Sequence, residues 1–170
     1  MINAFLALDN RFKNLRQTMQ CLEHINVQTT IVSAEKINDF DCINGDIFAI
    51  INNSRTDFSM FICNPVNFHI KLNEKFEVQC LSLSKKKSSD LILSFENLKQ
   101  RAKIAKFLDT KAIYDCSIVC ANKNFWEKVF KIHSRLMKYR HISIKENYFD
   151  LIINFCISLY DYKVSLIQGV

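Results

Sequence analysis

Phe58-Ser59-Met60-Phe61-Ile62-Cys63, followed at once by Asn64-Pro65-Val66-Asn67, is the stretch on which the reading of this chain turns. A run this apolar describes a strand covered on both faces, as in the interior of a largely parallel sheet. Pro65 is the only proline among 170 residues. Lacking an N–H, it cannot continue a ladder, so the strand is expected to stop here. In open α/β sheets ligands bind beyond the carboxyl ends of strands. That makes Asn64 and Asn67 candidates for binding, with turn closure as the alternative role for both.

Working outward, residues 2–8 form an apolar run suited to a buried first strand. Asp9 or Asn10 is expected to cap the next helix, in which Phe12, Leu15, Met19, Leu22 and Ile25 recur at helical spacing. The β-branched stretch 29–33 reads as strand two, giving a β-α-β opening with a right-handed crossover. Residues 47–51 read as a third strand, introduced by Asn44-Gly45-Asp46 and closed by Asn52-Asn53-Ser54. Phe76, Val78 and Cys80 alternate as in a half-exposed strand, and 90–95 is a further strand candidate.

Leu98, Ala102, Ala105 and Leu108 mark a basic amphipathic helix, and 117–121 a short strand. Phe125, Val129, Ile132 and Leu136 then define one helix face, opposite Lys128, Lys131, Arg135 and Lys138. Ser143 and Glu146 have capping-box spacing ahead of a last helix carrying Ile152, Phe155, Cys156 and Leu159. Residues 163–167 read as a closing strand. The fold class is α/β: a single domain over 1–170, with a mostly parallel central sheet flanked by helices. The runs 2–8, 29–33, 47–51 and 58–63 are expected to be buried strands of that sheet.

Composition narrows the function classes. Hydrophobic residues make up 49% and charged residues 24%, ordinary globular values that argue against disorder. With two glycines and one proline, the chain can build neither a P-loop nor a glycine-rich dinucleotide turn, and it has no serine nucleophile elbow. Seven cysteines without disulfide-scaffold spacing read as reduced, mostly buried thiols, and Cys116 and Cys120 are expected on one strand face. His24, His69, His133 and His141 show no metal-ligand spacing.

The apolar N-terminal run is too short for a signal peptide, and no run reaches the ~20 apolar residues of a transmembrane helix. A soluble, cytoplasmic protein is the expectation. Between Lys99 and Lys145 stand 12 Lys and Arg against three acids, a field that favours anionic partners, nucleic acid included, or a solvated basic face.

Taken together, the order of elements resembles a glycosyltransferase of the GT-A type, a Rossmann-like fold, reduced in length. The opening 3–12 resembles that family's first strand and the loop after it. The stretch 58–67 resembles the strand that delivers its Asp-x-Asp motif, and 116–128 the acceptor-side strand and helix. Glu146-Asn147-Tyr148-Phe149-Asp150, with Tyr160-Asp161-Tyr162-Lys163-Val164 after it, resembles the acidic motif of the late helix and the strand that closes it.

The resemblance implies a nucleotide-sugar donor and sugar transfer to a hydroxyl. It places Asp9, Arg11, Asn64 and Asn67 at the donor, with Asp9 equally suited to a helix cap. Asp150 or Glu146 would be the base, with Asp150 preferred because Glu146 fits a capping box. The turn departs from the family in holding amides where aspartates are expected, which argues against a Mg²⁺ or Mn²⁺ ion there. Two alternatives stay open: a non-catalytic binding protein on the same scaffold, and a basic nucleic-acid-binding module.

Overall fold

The computed structural model describes residues 1–8, 12–37, 39–85, 113–138 and 148–169. β1 (Ile2–Leu8) and β2 (Val27–Ser33) pair in parallel along their whole length, and β1 pairs in parallel with β4 (Phe58–Ile62) on its other side. β3 (Cys42–Ile43) extends the sheet beyond β2. β7 (Tyr114–Asn122) then runs antiparallel to both β4 and β6 (Val78–Leu83), and β8 (Val164–Leu166) lies parallel to β6. The order is β3-β2-β1-β4-β7-β6-β8, with a separate pair formed by β5 (Ile70–Lys71) and β9 (Gln168–Gly169). The sheet is therefore mixed but mostly parallel, with β7 reversed among the described strands.

Helices cover both faces. α1 (Leu15–Leu22), followed by a 3₁₀ turn at Glu23–Ile25, buries Cys21 and Leu22 in a cluster with Ala4, Leu6, Met60, Ile62 and Ile118. α2 (Ile47–Asn52), α3 (Lys123–Met137) and α4 (Tyr148–Leu159) cover the other face, where Phe61, Trp126 and Ile152 share a cluster. Trp126 is core, its indole N–H bonded to the carbonyls of Ser59 and Ala121 at 3.0 and 3.2 Å. On α3 the apolar face sinks inward as its spacing predicts, leaving Lys131, Arg135 and Lys138 exposed.

Four expectations are corrected. Residues 47–51 are a helix, not a strand. The Asp46 carboxylate accepts the N–H groups of Phe48 and Ala49 at 2.9 and 3.3 Å, and Ile47, Phe48 and Ile51 share one buried face. A short apolar run fits either element by composition; here an N-cap decides it. The cap of α1 falls on Asn14, in left-handed conformation and without a side-chain bond, rather than on Asp9 or Asn10, because the helix begins only at Leu15. β6 is not half-exposed at its start: Val78, Gln79 and Cys80 are buried between β7 and β8. Cys116 and Cys120 belong to the two opposite clusters, since a register shift opposite Cys80 and Ser82 breaks the alternation along β7. The expected strand 90–95, helix 98–108 and capping box 143–146 lie outside the described residues.

β4 ends at Ile62, so the amino half of β7, though paired with β6 at Asp115 and Tyr114, has no described strand on its other side, and α4 takes that place. Asn154, 2% exposed, accepts the Tyr114 N–H at 2.8 Å and donates to the Tyr114 carbonyl at 3.0 Å. Asp150, one turn earlier, accepts the Cys116 N–H at 3.2 Å. Buried peptide groups left unpaired are costly, so these side chains substitute for a missing strand partner. Asn154→Leu, similar in volume, is expected to cost about 2–4 kcal/mol in urea denaturation, the scale of two orphaned backbone groups. A loss under about 1 kcal/mol would show that water or a neighbour replaces the amide.

Candidate functional site

The carboxyl ends of β1 and β2 open onto a cavity of about 340 Å³, within the range of small-ligand sites. Ala7 and Leu8 from β1, Val32 and Ser33 from β2, and Gly45 to Phe48 at the start of α2 form its floor and one side. His133 and Met137 of α3 and Tyr148 and Phe149 of α4 complete it. Phe149 stands edge-on to Phe48 at 5.6 Å between ring centroids, so the far wall is aromatic.

A chain of three polar side chains crosses this wall. His133 Nε2 lies 2.5 Å from Asp46 Oδ2, and His133 Nδ1 lies 2.6 Å from the Tyr148 hydroxyl. An ionised carboxylate only accepts, so Nε2 carries a hydrogen; in the neutral ring Nδ1 then accepts from Tyr148. Burial and the charge of Asp46 push the Tyr148 hydroxyl well above its ordinary pKa, so it keeps its proton. His133 is 4% exposed, whereas the Asp46 side chain is 42% exposed and opens onto the cavity. Asp46 thus ties the first turn of α2 to α3 and, through His133, to α4.

The predicted site residues divide. Asn64 sits just past β4 and donates from Nδ2 to Ser117 Oγ at 2.8 Å, which ties the carboxyl end of β4 to the amino half of β7. Asn67 is exposed, beyond the buried Val66, whose N–H bonds to Thr18 Oγ1 at 3.0 Å. Neither asparagine lines the cavity. Asp150 is half-buried, facing β7 through its bond to Cys116. Asp9, Arg11 and Glu146 lie outside the described residues. Among the described residues no group of three or more His, Cys, Asp or Glu is placed to hold a metal ion. A turn of neutral amides, one of them already bonded to a serine, does not suit a hard divalent cation.

Asp46, His133 and Tyr148 were not singled out by sequence reasoning. Two faint signals existed: an acid two residues ahead of Phe48 after a glycine, and a histidine beside Ile132 on the apolar face of a helix. Neither reveals the other, because they stand 87 residues apart.

The mixed sheet flanked by helices has solved neighbours with a GT-A glycosyltransferase fold. The chain is similar to the crystal structure of the galactosyltransferase LgtC in complex with donor and acceptor sugar analogs. The TM-score is 0.55 at 11% identity, over 98% of this chain and 73% of that one. It is also similar to an active-site mutant of LgtC, at TM-score 0.53 and 10% identity, over 98% of this chain and 72% of that one. No protein-family model matches the chain, and no curated protein matches it in sequence. No described helix is long and apolar enough to cross a membrane.

All seven cysteines are free, and burial governs the most enclosed of them. It pushes Cys120 and Cys156 up to about 12, and raises Cys116 well above 9.0, where Cys80 and Asp150 add to the effect. Maleimide labelling of the native protein at neutral pH should therefore reach half-buried Cys42 first and leave these three unmodified until denaturant is added. The sign for stability follows: above the ordinary value of 9.0 the unfolded thiols ionise while the folded ones stay protonated. Stability contributed below that value should decline as pH rises from 9.0 toward about 12. Labelling of Cys120 or Cys156 at the rate of Cys42 would contradict this.

Proposed function

We propose that the chain binds a nucleotide sugar at the carboxyl edge of β1, β2 and β4 and transfers the sugar to a hydroxyl acceptor. The observation that carries this reading is the cavity at the ends of β1 and β2, in a fold similar to that of the galactosyltransferase LgtC. In this reading the nucleoside enters the cavity. Asp9 and Arg11 follow Leu8, a cavity residue, in the chain, and contact the donor, Arg11 by pairing with phosphate. Asn64 and Asn67 act from the end of β4 as neutral hydrogen-bonding groups, with no step assigned to a metal ion. The basic stretch 99–145 offsets charge on the departing diphosphate or attracts an anionic acceptor, nucleic acid included.

Transfer requires a base. Asp150 takes the acceptor hydroxyl proton as the acceptor oxygen bonds to the anomeric carbon and the bond to the diphosphate breaks. Glu146 is the second candidate. Seven free thiols agree with a reducing, cytoplasmic setting.

A second reading, binding without transfer, is favoured by one observation: Asp150 already supports β7 through the Cys116 N–H. A thermal-shift screen of nucleotide sugars, with and without Mn²⁺, tests binding. A true ligand at 100 times its Kd should stabilise by roughly 2.7 kcal/mol. Donor hydrolysis and transfer assays then separate the two readings. Asp150→Asn, whose amide oxygen still accepts the Cys116 N–H, is expected to keep donor affinity and lose about 10²-fold or more in turnover. Normal turnover by Asp150→Asn would reject it as the base, and binding without any turnover in the wild type would leave a binding protein.

A further inference from the structure

We propose that His24 and His69 form a two-imidazole site for a divalent transition metal of the Zn²⁺ class, at the edge of the sheet opposite the cavity. Because β1 and β2 run in parallel, the connection between them crosses from the carboxyl end of β1 to the amino end of β2. His24 lies at the end of that crossing, in the 3₁₀ turn Glu23–Ile25 just ahead of β2. His69 stands directly before β5. With Asn26, Ile70 and Lys71 the two histidines line a groove of about 740 Å³, which shares no lining residue with the cavity. Both histidines are exposed.

The state of the His24 ring follows from its partner. A backbone carbonyl only accepts, so the 2.9 Å contact between His24 Nε2 and the Ile70 carbonyl puts a hydrogen on Nε2. In the neutral ring Nδ1 is then bare and carries a lone pair. Histidines that bind metals almost always donate their other ring N–H to a carbonyl, a carboxylate or water, which fixes the tautomer and raises the basicity of the ligating nitrogen. His24 has this arrangement before any ion arrives.

The position of His69 supplies the second ligand. Its ring centroid lies 4.7 Å from that of His24, with the planes at 89°. An ion bonded at about 2.0–2.1 Å to one nitrogen of each ring sits about 3.2 Å from each ring centre. Ligand angles of about 90–109° then put the two centres roughly 4.5–5.2 Å apart, a range that contains the observed spacing.

The segments that carry the rings are fixed against each other. The Val66 N–H bonds to Thr18 Oγ1 at 3.0 Å, which ties the approach to His69 to α1. Ile70 and Lys71 pair with Gly169 and Gln168 of β9. Imidazole selects Zn²⁺, Cu²⁺ or Ni²⁺, whereas Mg²⁺ and Ca²⁺ seek oxygen. Two protein ligands leave two positions of a tetrahedral ion for water or for a donor that enters the groove. No step of the proposed transfer involves this ion.

Long-range proton–nitrogen correlation spectra of the untagged whole chain test the proposal. Before metal is added, His24 should carry its proton on Nε2. Added Zn²⁺ should move the nitrogen signals of His24 and His69 together, to one end point, and leave those of buried His133 in place. Competition for Zn²⁺ with a chromophoric chelator then gives the affinity. His24→Gln and His69→Gln are each expected to weaken it at least about tenfold, since losing even an outer-shell partner costs about 10–100-fold. His141→Gln should leave it unchanged. If His24→Gln does not fold, His69→Gln and the spectra carry the test. A His24 proton on Nδ1, or Zn²⁺ that moves neither ring, would overturn the site. So would an affinity that survives both glutamine variants, or one that His141→Gln weakens equally; the pair would then be an edge-to-face ring contact and nothing more.

Discussion

β7 runs against the direction of its neighbours in the middle of the sheet, and the demand that its backbone be paired shapes everything around it. From Asn122 to Ile118 it pairs with β4, and it pairs with β6 from Ala121 to Val119 and again at Asp115 and Tyr114. Toward Tyr114 β4 has ended, and the strand would leave peptide groups on that side unpaired beneath α4. Asn154 and Asp150 supply the missing partners from one face of that helix. This fixes the height and rotation of α4, and with them the positions of Tyr148 and Phe149 in the cavity wall. An amide at Asn154 is well suited to the task because it can both accept and donate, as a peptide group does.

The same helix illustrates why function is harder to assign than fold. Asp150, proposed as the base, already has a structural bond. A carboxylate has several acceptor positions, so one bond to Cys116 does not prevent chemistry at another. The turn after β4 is different in kind. It holds two amides, and one of them spends its nitrogen on Ser117. In the proposed function the diphosphate is placed by other means, for which the chain's surplus of positive charge is the resource.

The chain Asp46–His133–Tyr148 shows how one side chain serves several levels of structure. Asp46 converts an apolar run into a helix by accepting its first N–H groups. It also binds a buried imidazole, and a buried imidazole without partners would be costly. Removing Asp46 would thus disturb α2 and the packing of α3 together. Groups committed this firmly are also good at holding ligands, because little ordering remains to be done on binding.

Much was legible from the residues alone. Apolar runs at 2–8 and 58–63, β-branched residues at 29–33 and the single proline identified three strands of one mostly parallel sheet and the end of the last. Helical spacing identified the buried face of α3, because burial on one side leaves a periodic trace. These features are local, and local pattern records them. Spacing misjudged α4, which is buried on most of its surface while Leu159 is exposed and Phe155 half-buried. Residues 47–51 escaped because five apolar residues fit a strand or a helix, and the decision came from a cap and from contact with α3. The pairing of Asp46 with His133 and of Asn154 with Tyr114 left no pattern at all. Only the tertiary fold brings those groups within bonding distance, and only there does an unpaired buried polar group carry a cost that decides which partner it meets.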